Sequence, residues 1–186
     1  MNINYTIIKK NNILPNIWDG GETFEYLIYP ENSLYDKRDF LFRISVATIT
    51  KVPSVFTKFK GYARFLVMLD NDLNININGK EESYTPNNVF KFDSNSDITS
   101  FTKGNDFNLM VQNNVDVNVC LVNDAIDVSV SMTFVFAKTQ TKLFVNATDF
   151  ILEPFDLLII ENTNSHKLTI TTDKNIIIAY ISKKIM

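Results

Sequence analysis

The 186-residue sequence is poor in the side chains that bind metals or attack substrates. It has one cysteine, Cys120, and one histidine, His166. A single cysteine excludes an intrachain disulfide and fits a reducing, intracellular compartment. A catalytic metal site draws about three ligands from His, Cys and carboxylates. Here only carboxylates remain in number, and no DxDxDG calcium loop occurs. The expected metal and cofactor complement is therefore none. Cys120, in VNVCLVN, alternates with apolar neighbours and reads as a buried, inert thiol. His166, in SHKLTIT, reads as a surface residue at a strand start.

Glycine is also scarce. Gly20, Gly21, Gly61, Gly79 and Gly104 are too dispersed for a phosphate cradle, and no GxSxG or GxGxxG run is present. No catalytic residue is assigned. No apolar run approaches the roughly 18 residues of a spanning helix. The N-terminal MNINYTIIKKNN lacks the apolar stretch of a secretory signal. The net charge is −3, with Lys and Arg scattered rather than clustered. A nucleic-acid backbone needs a basic surface that displaces counterions. These absences lead us to expect a soluble cytoplasmic protein with no nucleic-acid or membrane partner.

What is present has a period of two. In DLNININGKEESY (72–84), Leu73, Ile75 and Ile77 alternate with Asn and Asp. Asn78-Gly79 then supplies the two residues of a type I′ hairpin turn. Further strands are expected at 22–29, 40–49, 63–70, 88–92, 98–102, 105–112, 115–122, 127–136, 141–145, 148–152, 156–161, 166–171 and 175–182. β-Branched and aromatic residues dominate them. Turn-forming clusters such as Pro30-Glu31-Asn32-Ser33 separate them. PSVFTKFK (53–60) is the one candidate for a short helical turn. Many short strands at regular spacing indicate an all-β sandwich or barrel. A soft boundary at Gln112-Asn113-Asn114 divides the chain into 1–112 and 113–186.

Polar residues inside apolar strands mark a candidate site. Arg43, Ser45 and Ala47 share one face of FRISVAT, opposite Ile44 and Val46. Arg64 shares a face with Leu66 and Met68. Asp106 and Asn108 share a face with Met110, and Thr23 shares one with Glu25. Two arginines facing inward would grip a carboxylate bidentately. Facing outward, the same residues would be solvated charges, and facing one another they would form an internal ion-pair network.

These segments carry a family resemblance. WDGGETFE (18–25) followed by LIYP, FRISVAT (42–48), FTKFKGYAR (56–64) and DFNLM (106–110), in that order, resemble the HutD/Ves family. EPFDLLII (153–160) adds a looser match to a cupin's closing hairpin. The resemblance implies a bicupin: two cupin-like antiparallel β-barrels packed in one chain, usually as a homodimer. It implies a metal-free small-molecule pocket and a role as a sensor or modulator in histidine utilisation. Urocanate and formylglutamate, both carboxylates, are the implied ligands. The family's pocket-side positions fall on Trp18, Gly20, Gly21, Thr23, Glu25, Arg43, Ser45, Arg64, Asp106 and Asn108.

On this reading Arg43 and Arg64 anchor the anion. Asp106, Asn108 and Glu25 orient the arginines, and Trp18 stacks on a planar ligand. Many family members have a Lys-Asn-Gly-Gly-Gly or Ser-Gly-Gly-Thr stretch after the tryptophan, whereas here it is Asp-Gly-Gly-Glu, so Asp19 and Glu22 add negative charge near the implied pocket. The metal-cupin HxH pattern is missing from both halves. Two other functions compete. One is a cofactor-free isomerase or lyase acting on a small acid, with Glu25 or Asp106 as general base. The other is a stress-response protein whose pocket is vestigial. The carboxylate's environment discriminates the first: a base working near neutral pH is desolvated and not flanked by two arginines.

Overall fold

The computed structural model describes residues 3–182, and no α-helix forms among them. Two 3-10 turns, Lys10–Asn12 and Tyr35–Lys37, interrupt an otherwise stranded chain. No helix among the described residues is long and apolar enough to cross a membrane. The chain forms two compact units: one is Ile13–Asn114, and the other combines the residues before it with those from Val115 on.

The first strand, β1 (Ile3–Ile8), belongs to the second of these units. The Ile13–Asn114 unit holds β2 (Asn16–Trp18), β3 (Gly21–Tyr29), β4 (Phe42–Ile49), β5 (Ser54–Val55), β6 (Tyr62–Met68), β7 (Leu73–Ile77), β8 (Lys80–Tyr84), β9 (Phe90–Asp93), β10 (Ile98–Ser100) and β11 (Gly104–Gln112). A six-stranded antiparallel sheet runs β2-β3-β4-β11-β6-β9, and a four-stranded sheet runs β5-β10-β7-β8. The β7–β8 hairpin forms as its alternation requires. Leu73 and Ile75 are buried, and Asn78 and Gly79 take φ of 51° and 86°, the two positive values a type I′ turn needs.

One face of the six-stranded sheet carries Ile44, Val46, Val67, Phe107 and Leu109, all buried. The other face is mixed. Leu66, Met68, Phe90 and Phe92 pack there with Leu73, Ile75 and Ile98. Beside them, Phe40, Phe59, Tyr62 and Met110 form an aromatic cluster. Polar residues hold most of the remaining inward positions on β3, β4, β6 and β11, and they make the site.

The second unit pairs β1 with β12 (Val117–Val122), β13 (Ala125–Val128), β14 (Met132–Ala137), β15 (Thr141–Val145), β16 (Thr148–Leu152), β17 (Leu157–Asn162), β18 (Leu168–Thr172) and β19 (Ile176–Ile181). Its sheets run β1-β17-β14-β19-β12 and β13-β18-β15-β16. Val135, Leu143, Val145, Ile160, Ile170 and Ile178 fill the space between them. Thr133 places a buried, unbonded hydroxyl on β14. His166 is exposed in the turn before β18, as its sequence context suggests. Asn162 pins that turn: its Nδ2 donates to the His166 carbonyl at 2.7 Å, and its Oδ1 accepts from the His166 N–H at 3.2 Å.

Three sequence expectations need correction. Residues 3–8 do not lie with 13–112, because β1 pairs antiparallel with β17 from Ile3↔Asn162 to Ile8↔Leu157. That pairing spans most of the chain, and local pattern does not encode it. Residues 127–136 form two strands in different sheets, broken between Val128 and Met132. The segment 53–60 is not helical. It contributes the two-residue strand β5, paired with β10.

Candidate functional site

A cavity of ≈ 590 Å³ opens in the Ile13–Asn114 unit. The strand register decides which side chains meet there. Across the sheet, Glu25 pairs with Ser45 and Ser45 with Asn108, and Asn108 pairs with Leu66. One row along, Arg43 pairs with Met110, and Met110 with Arg64. One row the other way, Thr23 pairs with Ala47, and Ala47 with Asp106. Alternate residues of one strand share a face, so these three rows project together. The polar faces read from sequence therefore line one cavity wall.

A bulge shapes its edge. Between β3 and β4 the register steps from Glu25↔Ser45 to Leu27↔Ile44, leaving Tyr26 as the extra residue. Such a bulge bends the strand and re-aims its side chains. Past it, Ile28 packs with the Phe40–Met110 cluster, so Glu25 is the last inward polar residue on β3.

Each arginine is buried and already held. Arg43 donates from Nε to Glu25 Oε2 at 2.6 Å and from a terminal nitrogen to Ser45 Oγ at 3.0 Å. Its guanidinium carbon lies 4.5 Å from the centre of the Tyr35 ring. Arg64 donates from Nε to Ser94 Oγ at 2.8 Å and from a terminal nitrogen to the Thr57 carbonyl at 2.5 Å. Its guanidinium carbon is 5.6 Å from the Phe59 ring centre. Tyr35 and Phe59 are themselves 4.8 Å apart, so both guanidinium groups lean on one aromatic cluster. Burial lowers the Arg64 pKa, Tyr35 and Asp106 push it back up, and Arg43 lowers it. An arginine stays charged through such a shift. Arg43's effect places the two cations within each other's field.

Asp106 and Asn108, expected to orient the arginines, make no hydrogen bond to them, and Asp106 acts on Arg64 through its charge. Met110 occupies the slot between the arginines, and Asp106 lies two rows away, roughly 13 Å along the backbone by strand rise. Asp106 is 4% exposed. Among the described residues no donor bonds its carboxylate. Its pKa is raised to about 7, chiefly by desolvation, with Arg64 opposing and Asp70 adding to the rise. Asn108 also lines the cavity, and its Oδ1 is buried without a hydrogen-bond partner. The orienting groups that pattern reading missed are Ser94, the Thr57 carbonyl and Tyr35. They come from turns and loops, where periodicity carries no signal.

The cavity also has an apolar part to its lining. Trp18, 40% exposed, lines it with Ile17, Leu34, Val55 and Phe56. Trp18 Nε1 donates to Thr23 Oγ1 at 3.1 Å. Gly20 and Gly21 do not line the cavity. A Cβ on Gly20 would sit 1.9 Å from the Trp18 ring, and one on Gly21 would sit 1.9 Å from the Thr48 carbonyl oxygen. The glycines act through close approach: Gly20 seats the indole, and Gly21 lets β3 lie against β4. Gly20→Ala should therefore push Trp18 off its seat. The chain has one tryptophan, so its emission reports this directly. We expect a red shift and greater quenching by acrylamide, with stability changed by about 1 kcal/mol or less because the ring can swing into solvent. An unchanged spectrum would refute this seating role.

Asp19 and Glu22 are also absent from the lining. Asp19 Oδ1 meets Lys51 Nζ at 2.6 Å on the exposed rim, and Lys51 holds its pKa below the usual value. Cys120 lies elsewhere, half-buried, and burial raises its thiol pKa. Among the described residues no three His, Cys, Asp or Glu side chains gather into a metal-binding group.

A family model described as HutD matches residues 10–178. The chain belongs to the HutD family. Among solved structures it is similar to HutD from Pseudomonas fluorescens SBW25, with 18% identity and a TM-score of 0.81, covering 97% of this chain and 100% of that one. It is also similar to a conserved protein of unknown function from Pseudomonas aeruginosa PAO1, at 17% identity and TM-score 0.80, covering 97% and 100%. A cupin 2 conserved barrel domain protein from Leptotrichia buccalis aligns at 9% identity and TM-score 0.58, over 96% of each chain. No curated protein matches the chain. The fold is all-β and bicupin, with each compact unit a two-sheet antiparallel barrel.

Proposed function

We propose that this HutD-family chain is a binding protein that holds a small carboxylate and serves as a sensor or modulator in histidine utilisation. The observation that carries this reading is the meeting of Arg43 and Arg64 on one wall of a ≈ 590 Å³ cavity. Both are buried and fixed by hydrogen bonds and ring contacts. Arg43 has Glu25 as its ion-pair partner, whereas Arg64 is hydrogen-bonded only to neutral groups, so a bound anion would supply the counter-charge that Arg64 lacks. The planar guanidinium forks match carboxylate geometry. The apolar lining around Trp18, Ile17 and Phe56 suits the carbon skeleton of the ligand. Urocanate and formylglutamate both fit this chemistry: urocanate carries one carboxylate and an imidazole, and formylglutamate two carboxylates and a formamide.

Calorimetry with both compounds tests the proposal. Arg43→Ala and Arg64→Ala should each weaken binding. Arg43→Ala should cost about tenfold, because a hydrogen bond to a charged group is worth about 1.5–3 kcal/mol and Arg43 already shares its charge with Glu25. Unchanged affinity in both variants would overturn the anchor.

One observation favours a second reading. Glu25 is tied to Arg43, but Asp106 is desolvated, unbonded and raised to about 7. That is the state of a general base near neutral pH. A cofactor-free isomerase or lyase would then remove a C–H proton of the acid. Incubating each acid with the protein in D₂O and following its C–H signals by NMR separates the two. Exchange that disappears in Asp106→Asn identifies an enzyme, and no exchange leaves binding alone.

A further inference from the structure

We infer that the cavity takes up its anion together with one proton, which Asp106 holds. This rests on the anion anchor proposed above and names a property of the same site. The argument is one of charge. Arg43 is neutralised by Glu25 at 2.6 Å. Arg64 donates its hydrogen bonds to neutral groups, Ser94 Oγ and the Thr57 carbonyl. Arg64 and an ionised Asp106 balance each other through space. An anion added at Arg64 leaves the buried wall with one excess negative charge, beside a carboxylate that no donor satisfies. Protonating Asp106 restores the balance: the cation then faces the ligand, and the carboxyl is neutral.

The surroundings leave no other group to take that role. From β3, Glu25 faces the cavity, bonded to Arg43. From β4 and β6 come Arg43 and Arg64. From the loop before β4 come Tyr35 and Asp36, with Asp36 exposed at the mouth. Asp70, in the turn after β6, is exposed and accepts from the Asn71 and Asn105 backbone N–H groups and from Asn105 Nδ2. Its fixed negative charge favours a proton on Asp106. Asn108, two residues along the same face, is neutral, and its Oδ1 still lacks a donor. Asp106 is thus the one buried carboxyl of the wall without a cation bonded to it.

The balance of the step is one anion and one proton in, nothing released. Its measurable consequence is that affinity falls as pH rises past the Asp106 titration, approaching tenfold per pH unit. The experiment is calorimetry of the full chain with two singly charged carboxylates, butyrate and acetate, at millimolar concentration, at pH 6 and pH 8. Neither probe titrates in that range. Paired runs in buffers of different ionisation enthalpy, MES and Bis-Tris at pH 6 and HEPES and Tris at pH 8, count the protons. We expect close to one proton taken up per anion at pH 8 and far less at pH 6. Asp106→Asn should bind with no proton uptake and equal affinity at both pH values. Binding by the wild type with no uptake at pH 8 overturns the inference and leaves the anchor standing. Failure of both probes to bind at any pH overturns the anchor and the inference with it. The proton count on the wild type stands whether or not the variant folds.

Discussion

At pH 8, Asp106→Asn should raise the free energy of unfolding by about 4 kcal/mol, while at pH 4 it should leave it nearly unchanged. The sign follows from where the proton sits. In the unfolded chain Asp106 titrates near its ordinary value of 3.8, and in the fold it is raised to about 7. Between those values the folded protein keeps a proton that the unfolded chain has lost. Stability therefore falls as pH rises through this window, and above about 7 the loss is complete. Asparagine has the same shape and no charge to desolvate, so the variant escapes the decline. Urea denaturation of both proteins at pH 4, 6 and 8 measures it. A variant no more stable than wild type at pH 8 would show that Asp106 is not a desolvated carboxylate.

A stabilising substitution at a wall residue has a meaning for function. The free fold gives up stability to keep an ionisable group inside a barrel. Natural chains retain such groups at sites that work on ligands or protons. The second unit offers the contrast. The space between its sheets is filled by aliphatic side chains such as Val135, Leu143 and Ile170.

The sequence makes the inward faces legible because strand alternation is strict. Arg43 with Ser45, Asp106 with Asn108, and Thr23 with Glu25 all project into the same cavity. Pattern alone cannot tell an inward polar face from an outward one. The register across β3, β4, β11 and β6 decides it here. Pattern also cannot give distances along a strand. Asp106 reads as a neighbour of the arginines, yet the row of Asn108 lies between it and theirs. The true partners of Arg64, Ser94 and the Thr57 carbonyl, sit in irregular segments 30 and 7 residues away. The same limit hides the bulge at Tyr26 and the pairing of β1 with β17. Each depends on a strand from elsewhere in the chain.

Arg64→Met should lower carboxylate affinity by about 100-fold and should also change how stability depends on pH. Methionine keeps most of the unbranched stem that crosses the barrel wall. The charge and its bonds to Ser94 and Thr57 disappear. At pH 5 Asp106 is protonated with or without Arg64, so the two positions should act independently. At pH 8 they should not. Arg64 is the cation that draws the Asp106 pKa down. Without it the titration moves above its present position, and the decline in stability continues through pH 8. Combining Arg64→Met with Asp106→Asn gives a double-mutant cycle. We expect a coupling energy of about 1–3 kcal/mol at pH 8 and near zero at pH 5. Equal coupling at both values would mean that the residues communicate through packing rather than charge. Coupling confined to high pH would show that Asp106 senses the charge at Arg64. That is the same charge an incoming anion would cancel, so the cycle measures in the empty protein the interaction that would link ligand and proton.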